Sequence, residues 1–343
     1  MSTGSGLDAQ FMAGQETVWG TPVTPDRTIE ITGETLKFDP NWIEEASLHR
    51  GIKFKRAGHA QVSRSQVSGD FTFNINTLGM GRFIRNAFGS ATATTTLISG
   101  TAYKQIHTPG DFRGLGLTLQ AGRPEPATGT VRAHTFEGCK ISKWDFSLKD
   151  NSFPELKLTV DGQAEATATA LATASYLAGS APYNFSQAVL KLGGTASTAS
   201  GETTIAGGTQ VATIIKDISL SGTTGMDTAR YGIGNGGQKS EQLENAIPTI
   251  TGKLGAEFGF TELYTPYVAG TIIPLQLDFT GSVIGGGNSF LFSWIIPAIK
   301  IKACSPTVTG PGIVQMNLDF EAYSDEVNPV IQVKIVSTES TAV

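Results

Sequence analysis

The sequence predicts an all-β protein, two tandem copies of one β domain in one chain, each carrying one short helix. Three observations lead there. Charged residues make up only 16% of the 343 residues while glycine alone contributes 41, the composition of a strand-rich, turn-rich chain. One strand–helix unit, GDFTFNINTLGMGRFIRNAFG at 69–89, stands out from a chain that otherwise alternates at period two. A weaker copy, GKLGAEFGFTELYTPYVAG, lies 183 residues later.

In the first unit Phe71, Phe73 and Ile75 alternate with Thr72 and Asn74, as in a half-buried strand. Met80, Phe83, Ile84, Ala87 and Phe88 then form the apolar stripe of an amphipathic helix, with Arg82, Arg85 and Asn86 on its other face. Asn76 or Thr77 is expected to cap its start and Gly89 to stop it. In the second unit Leu254, Ala256, Phe258 and Phe260 alternate, and Pro266 limits any helix after them to a short turn.

Taken in order, residues 1–28 are expected to form an extended arm on the surface of the fold, anchored by Trp19. A domain spans 29–162. Ile29–Phe38 is a strand with a bulge at Gly33. The connection Asp39–Ser68 is long and dense in charge, and the alternation of Ile52 and Phe54 makes it a projecting hairpin. Beyond the helix come an Ala/Thr loop at 90–100 and strands marked by Leu115, Leu117 and Leu119, by Phe136 and Ile141, by Trp144, Phe146 and Leu148, and by Leu156, Leu158 and Val160. Residues 163–186 are small and polar, a linker, and 187–343 form the second domain, where Gly193–Gln210 reads as a flexible loop. Ile218 and Leu220 match Leu36 and Phe38 at an offset of 182; Leu275, Leu277 and Phe279 match Leu115, Leu117 and Leu119 at 160; Trp294 and Ile299 match Phe136 and Ile141 at 158, as do Val314, Met316 and Leu318 with Leu156, Leu158 and Val160. Near-constant offsets in one order point to internal duplication. Ser221–Thr251 then matches the first charged excursion.

No catalytic constellation emerges. His49, His59, His107 and His134 do not sit with Cys, Asp or Glu at metal-ligand spacing, and there is neither CxxC nor HExxH. No nucleophile elbow or P-loop occurs. Gly232–Gly237 spells GxGxxG but lies in the second excursion of a chain without βαβ units, so a loop tip is expected. The pair Glu44–Glu45 reads as solvated. No cofactor is expected, nor a role as an enzyme. Cys139 and Cys304 read as buried thiols, with a disulfide between them the other possibility. The net charge of −5 argues against a strongly basic nucleic-acid binder. The opening MSTGSGLDAQF lacks a basic and an apolar region, so no secretory signal is expected, and no apolar run reaches the ~18 residues of a membrane helix.

The opening GQETVWGTPVTPDRTIEITGETLKFDP resembles the N-terminal signature of bacteriophage tail tube proteins, the major tail proteins of long, non-contractile-tailed phages. The unit at 69–89 looks like that family's strand–helix unit. ITGKLGAEFGFTELYTPYVAGTIIPLQLDFTG resembles its second-half counterpart, and IIPAIKIKACSPTVTGPGIVQMNLDFEAY its closing strands. The resemblance implies tandem β-sandwich, barrel-forming tail-tube domains, each with one short helix, in a structural virion protein, assembled in the host cytoplasm, that forms stacked rings making a hollow conduit for DNA. It also implies partners at the tail tip and head end, a tape measure inside, transient passage of double-stranded DNA without sequence-specific binding, and no membrane. A tandem chain is expected to close a ring from three copies with pseudo-hexameric symmetry, a plain hexamer being the alternative. Some 24 strands at ~4.8 Å spacing make a barrel ~37 Å across, wider once tilted. The resemblance places inter-ring stacking on the excursions, and Glu44, Glu45, His49, Arg50, Lys53, Lys55, Arg56, Arg64, Arg230, Lys239 and Glu241 are the residues expected there. Competing readings are the tube of a bacterial injection apparatus, a phage receptor-binding β-sandwich, and a transmembrane β-barrel, against which the missing aromatic girdles argue.

Overall fold

The computed structural model describes residues 4–90, 95–308 and 310–341. The tip of the expected arm, part of the Ala/Thr loop and the end of the second domain lie outside the described residues. The principal elements are β1 (Gln10–Gln15), β2 (Ile31–Glu34), β3 (Lys37–Glu44), β4 (Ala60–Asn74), α1 (Gly81–Phe88), β5 (Ala102–His107), β6 (Leu117–Pro124), β7 (Val131–Lys149) and β8 (Glu155–Gly162). They continue with β9 (Ala188–Leu192), β10 (Ile215–Thr223), β11 (Thr249–Glu257), α2 (Thr265–Ala269), β12 (Ile273–Gly285), β13 (Asn288–Thr307), β14 (Gln315–Ala322) and β15 (Gln332–Ser337). Among the described residues the protein is all-β with two short α-helices.

One antiparallel sheet runs through the molecule in the order β3–β4–β8–β7–β10–β11–β14–β13. The first four strands come from the N-terminal half and the last four from the C-terminal half, in corresponding order. The ladders also carry corresponding irregularities. A register shift falls between Ile31 and Gly33 and again between Ile215 and Asp217, at the bulge expected from Gly33. Another falls between Thr159 and Val160 on β8, where Lys143 gives way to Ile141, and between Ile301 and Ala303 on β13. Phe71 faces Leu158 and Leu254 faces Leu318, so the closing strands correspond at an offset of 160 and not the 158 expected. Period-two alternation assigns a face but leaves a two-residue slip invisible.

β7 and β13 are long enough to serve two layers. The first part of β7 pairs with β6, which pairs with β1, forming an outer sheet over the N-terminal half. The first part of β13 pairs with β12 and β15, and β12 pairs with β9. Bulges turn each long strand from one layer into the other, and Pro297 sits in such a shift, where a missing N–H is tolerated. β15 pairs in turn with β5, so a segment from the N-terminal half completes the outer sheet of the C-terminal half. The core is continuous. Trp144 and Trp294 stack at 5.2 Å and 17°, flanked by Phe88 and Phe146.

α1 ends as expected, with Gly89 left-handed at φ 68°. Its start differs: Met80 occupies the cap position without a side-chain bond, and Thr77 instead exchanges hydrogen bonds with Ala181. Its polar face is buried. Arg82 donates to the Ala13 carbonyl and both Asp26 oxygens, and Asn86 donates to Gln15. The cause is that one part of the supposed surface arm, β1, is buried beneath the helix. Phe11, Met12 and Ala13 are fully buried in β1, a short apolar run that the polar residues around it conceal. The second helical unit is a π-turn at Phe260–Tyr264 running into α2, ended by left-handed Gly270.

Two segments expected to be loose are ordered. Residues 170–183 are strapped to the N-terminal half through Ala170 and Ala172 to Gln120, Ser175 to Thr28 and Tyr183 to Ile75. Within 193–210, Thr195–Ala199 and Glu202–Ala206 form a hairpin, because Thr195, Thr198, Thr203, Thr204 and Ile205 favour strand and Ser200–Gly201 adopts positive φ in the turn. Glu202 pins it to Lys104 at 2.5 Å and Lys334 at 3.2 Å.

His107 on β5 is fully buried, and burial with the nearby Arg85 charge pushes its pKa down to about 4. Because the unfolded chain takes up this proton first, stability is expected to fall as pH drops from 6.5 and to level off near 4, by about 3 kcal/mol from this group. Urea titrations across that range measure the loss. His107→Gln should flatten the slope, and an unchanged slope refutes the assignment.

Candidate assembly surfaces

The eight-stranded sheet has two unlike faces. Phe71, Phe73, Leu156, Leu158, Trp144, Phe146, Ile218, Leu220, Leu254, Met316 and Leu318 point into the core. The opposite face alternates with them and is charged. Lys157 pairs with Asp70 at 2.8 Å, Lys143 with Asp145 at 2.9 Å, Lys253 with Asp319 at 3.3 Å and Lys302 with Glu321 at 3.4 Å. The hydrogen bond to Asp70 holds the Lys157 ammonium above its usual range.

The sheet does not close on itself. Among the described residues, β3 has β4 on one side and no strand on the other, and the last part of β13 has only β14. Apolar side chains stand at these edges: Phe38, Trp42 and Ile43 on β3, and Val308 beyond β13. Long unpaired edges of this kind invite another strand.

The first charged excursion is a projecting hairpin, its ladder running to Glu44 and Ala60. Glu44 pairs with Lys55, Glu45 with His59 at 2.5 Å, and Arg56 with His59 at 3.2 Å. His49, Arg50 and Lys53 are exposed at the tip beside exposed Leu48 and Phe54. Arg64 lies on β4, its guanidinium 4.8 Å from the Tyr231 ring.

The second excursion, by contrast, folds down on the N-terminal half. Lys239 is fully buried and meets Asp161 at 2.5 Å; Gln242 donates to the same carboxylate at 2.8 Å. Burial pushes the Asp161 carboxyl up, against these two partners. Lys140, also buried, spends its ammonium on Glu241 at 2.7 Å and on the Phe112 and Gln242 carbonyls. Arg230 donates to the Glu241 carbonyl. Gly237 lies so close to Ser63 that a Cβ there would meet its carbonyl, which accounts for part of the glycine run as backbone packing. Lys140, Asp161 and Gln242 escaped the sequence reading; a lysine and an aspartate in otherwise alternating strands were the signal.

Trp19 donates its indole N–H to the Gly138 carbonyl at 3.0 Å. Beside it the Glu16 carboxylate, raised by burial, accepts from Gly138, Gly20 and Thr118. Cys139 and Cys304 are both buried and free. Among the described residues no cluster of three metal-ligating side chains occurs, and no helix is long and apolar enough to cross a membrane.

The family model of phage tail tube proteins matches residues 6–322, which takes in both charged excursions and every strand of the eight-stranded sheet. The chain belongs to the phage tail tube protein family. Its role is that of a structural component of the virion tail. No curated protein matches the chain. Membership of this family implies assembly into a tube of stacked subunits.

Proposed function

We propose that the chain is a tandem duplication of one tail-tube domain and that three copies close a ring, which stacks into the hollow conduit for DNA delivery. The observation that carries this reading is the eight-stranded sheet with four strands from each half, in matching order and with matching bulges. Three such sheets supply the ~24 strands of a barrel whose bore passes a duplex. The charged face then lines the lumen. Its carboxylates and ammonium groups pair with one another, leaving little free positive charge to hold a passing polyanion. A hexamer of whole chains would double the strand number and is disfavoured. Tail-tip, tape-measure and head-end proteins are the partners this role requires, with assembly in the host cytoplasm.

Negative-stain microscopy of concentrated protein, with native mass measurement of isolated rings, tests the reading. Hollow tubes and three-chain rings are expected. Six-chain rings overturn the trimer, and compact monomers that persist beside a tip complex overturn the tube.

In this reading the first excursion carries ring-to-ring stacking through Glu44, Glu45, His49, Arg50, Lys53, Lys55 and Arg56, while Arg230, Lys239 and Glu241 hold the second excursion in place. Reversing Arg50, Lys53, Lys55 and Arg56 to Glu is expected to abolish tubes and leave rings and melting temperature unchanged. Raising salt should weaken stacking of the unaltered protein, since Arg50, Lys53 and Lys55 are exposed. Normal tubes from the reversed variant rule out the assignment.

A further inference from the structure

We infer that the free edge of β3 in one copy pairs antiparallel with the free edge of β13 in the next copy, with Asp39 opposite Ala303, Phe38 opposite Cys304 and Lys37 opposite Ser305. The inference rests on the ring reading above and adds to it the seam and its register.

The template lies inside the chain. β7 and β10 form a seam between the halves, in which Lys143 faces Thr223, Trp144 faces Gly222 and Asp145 faces Ser221. Each side of that seam has a counterpart at a free edge. Trp144 faces Leu158 across the sheet and Cys304 faces Leu318, while Leu158 and Leu318 face Phe71 and Leu254. Cys304 therefore stands where Trp144 stands, after the same bulge. On the other side, Gly222 faces Ile250 and Phe38 faces Val67. Counted along β4 and β11 from Phe71 and Leu254, Val67 and Ile250 hold the same place, so Phe38 stands where Gly222 stands.

The side chains at these places are exchanged in size. In the chain's own seam a large Trp144 covers a glycine; a Cβ on Gly222 would overlap the indole. At the free edges the large residue is Phe38 and the small one Cys304. Seam for seam, one aromatic ring sits against one small residue, contributed from opposite strands. Phe38 is 38% exposed in the single chain, a ring on the core side of the sheet with nothing beyond it. The flanking pairs are compatible: neither Asp39 opposite Ala303 nor Lys37 opposite Ser305 sets like charges together. A one-residue slip would turn Phe38 to the charged face.

Cross-linking tests the seam. Lys37 and Ser305 lie on the charged face, so Lys37→Cys with Ser305→Cys places two thiols directly opposed, within the span of a disulfide or a short dithiol reagent. Oxidised rings of this double variant should run on denaturing gels as a ladder ending at three chains, and each single variant should not. The shifted pairs Thr35→Cys with Ser305→Cys, and Asp39→Cys with Ser305→Cys, should cross-link at least tenfold less. Equal or better cross-linking of a shifted pair overturns the register. Rings visible by microscopy without any cross-link overturn the seam while the ring reading stands. Absence of rings from the unaltered protein overturns both. Should the cysteine variants assemble poorly, Phe38→Ala gives an independent readout. It should raise the concentration needed for ring formation at least tenfold under conditions where circular dichroism shows the monomer still folded, and an unchanged threshold overturns the seam.

Discussion

Replacing Lys239 with alanine is expected to cost about 3–5 kcal/mol, because it leaves the Asp161 carboxylate buried without its counter-charge. The ammonium is fully buried, 2.5 Å from an Asp161 oxygen, and lies 5.8 Å from the Tyr231 ring. Gln242 supplies the only other side-chain donor to that carboxylate among the hydrogen bonds described. The effect should be concentrated in the second excursion. Hydrogen exchange over residues 224–248 should quicken before the rest of the chain responds, and urea titration should report the total. Lys239→Met combined with Asp161→Leu should recover most of the loss, since a buried ion pair is often matched by apolar residues of similar volume. A loss below about 1 kcal/mol in the single variant would mean that the pair is not desolvated as described.

Trp294→Ala should be as costly, about 3–5 kcal/mol. The indole is fully buried on β13 and packs against Trp144, Phe88, Phe146 and Phe292. Three of those rings belong to the N-terminal half, so the cavity would open at the boundary between the halves. The result that matters is the shape of the transition. With one shared core, and with β5 completing the outer sheet of the C-terminal half, both halves should unfold together in wild type and variant alike. Fluorescence of the remaining tryptophans and far-ultraviolet circular dichroism should give superimposable urea curves. Two separated transitions would refute the shared core.

Much of the fold was legible from residues. The strand–helix unit was readable because apolar periodicity changes from two to 3.6 within a few residues, and Gly89 marks its end. The strands of the eight-stranded sheet were readable because one face is core and the other charged. Register was not, since bulges at 31–33, 141–143 and 301–303 insert single residues that alternation alone does not place. β1 was missed because four buried residues between polar neighbours are too short to show a period. The hairpin at 195–206 was hidden by low complexity, although its threonines and Ile205 carry strand preference. Among the candidate assembly residues, a charged excursion was visible twice. That one projects and the other is pinned depends on Lys140 and Asp161, which lie about 100 and 80 residues away in sequence, and such pairing has no local signature.

The seam between β7 and β10 is covalently tethered through residues 150–214. Its two sides meet at an effective concentration fixed by the chain, whatever the amount of protein in the cell. A three-chain ring therefore leaves only three seams to diffusional encounter where six separate domains would leave six. In the proposed three-chain ring, formation should rise with the third power of protein concentration, not the sixth, so closed rings would persist at dilutions where a single-domain subunit would still be dispersed.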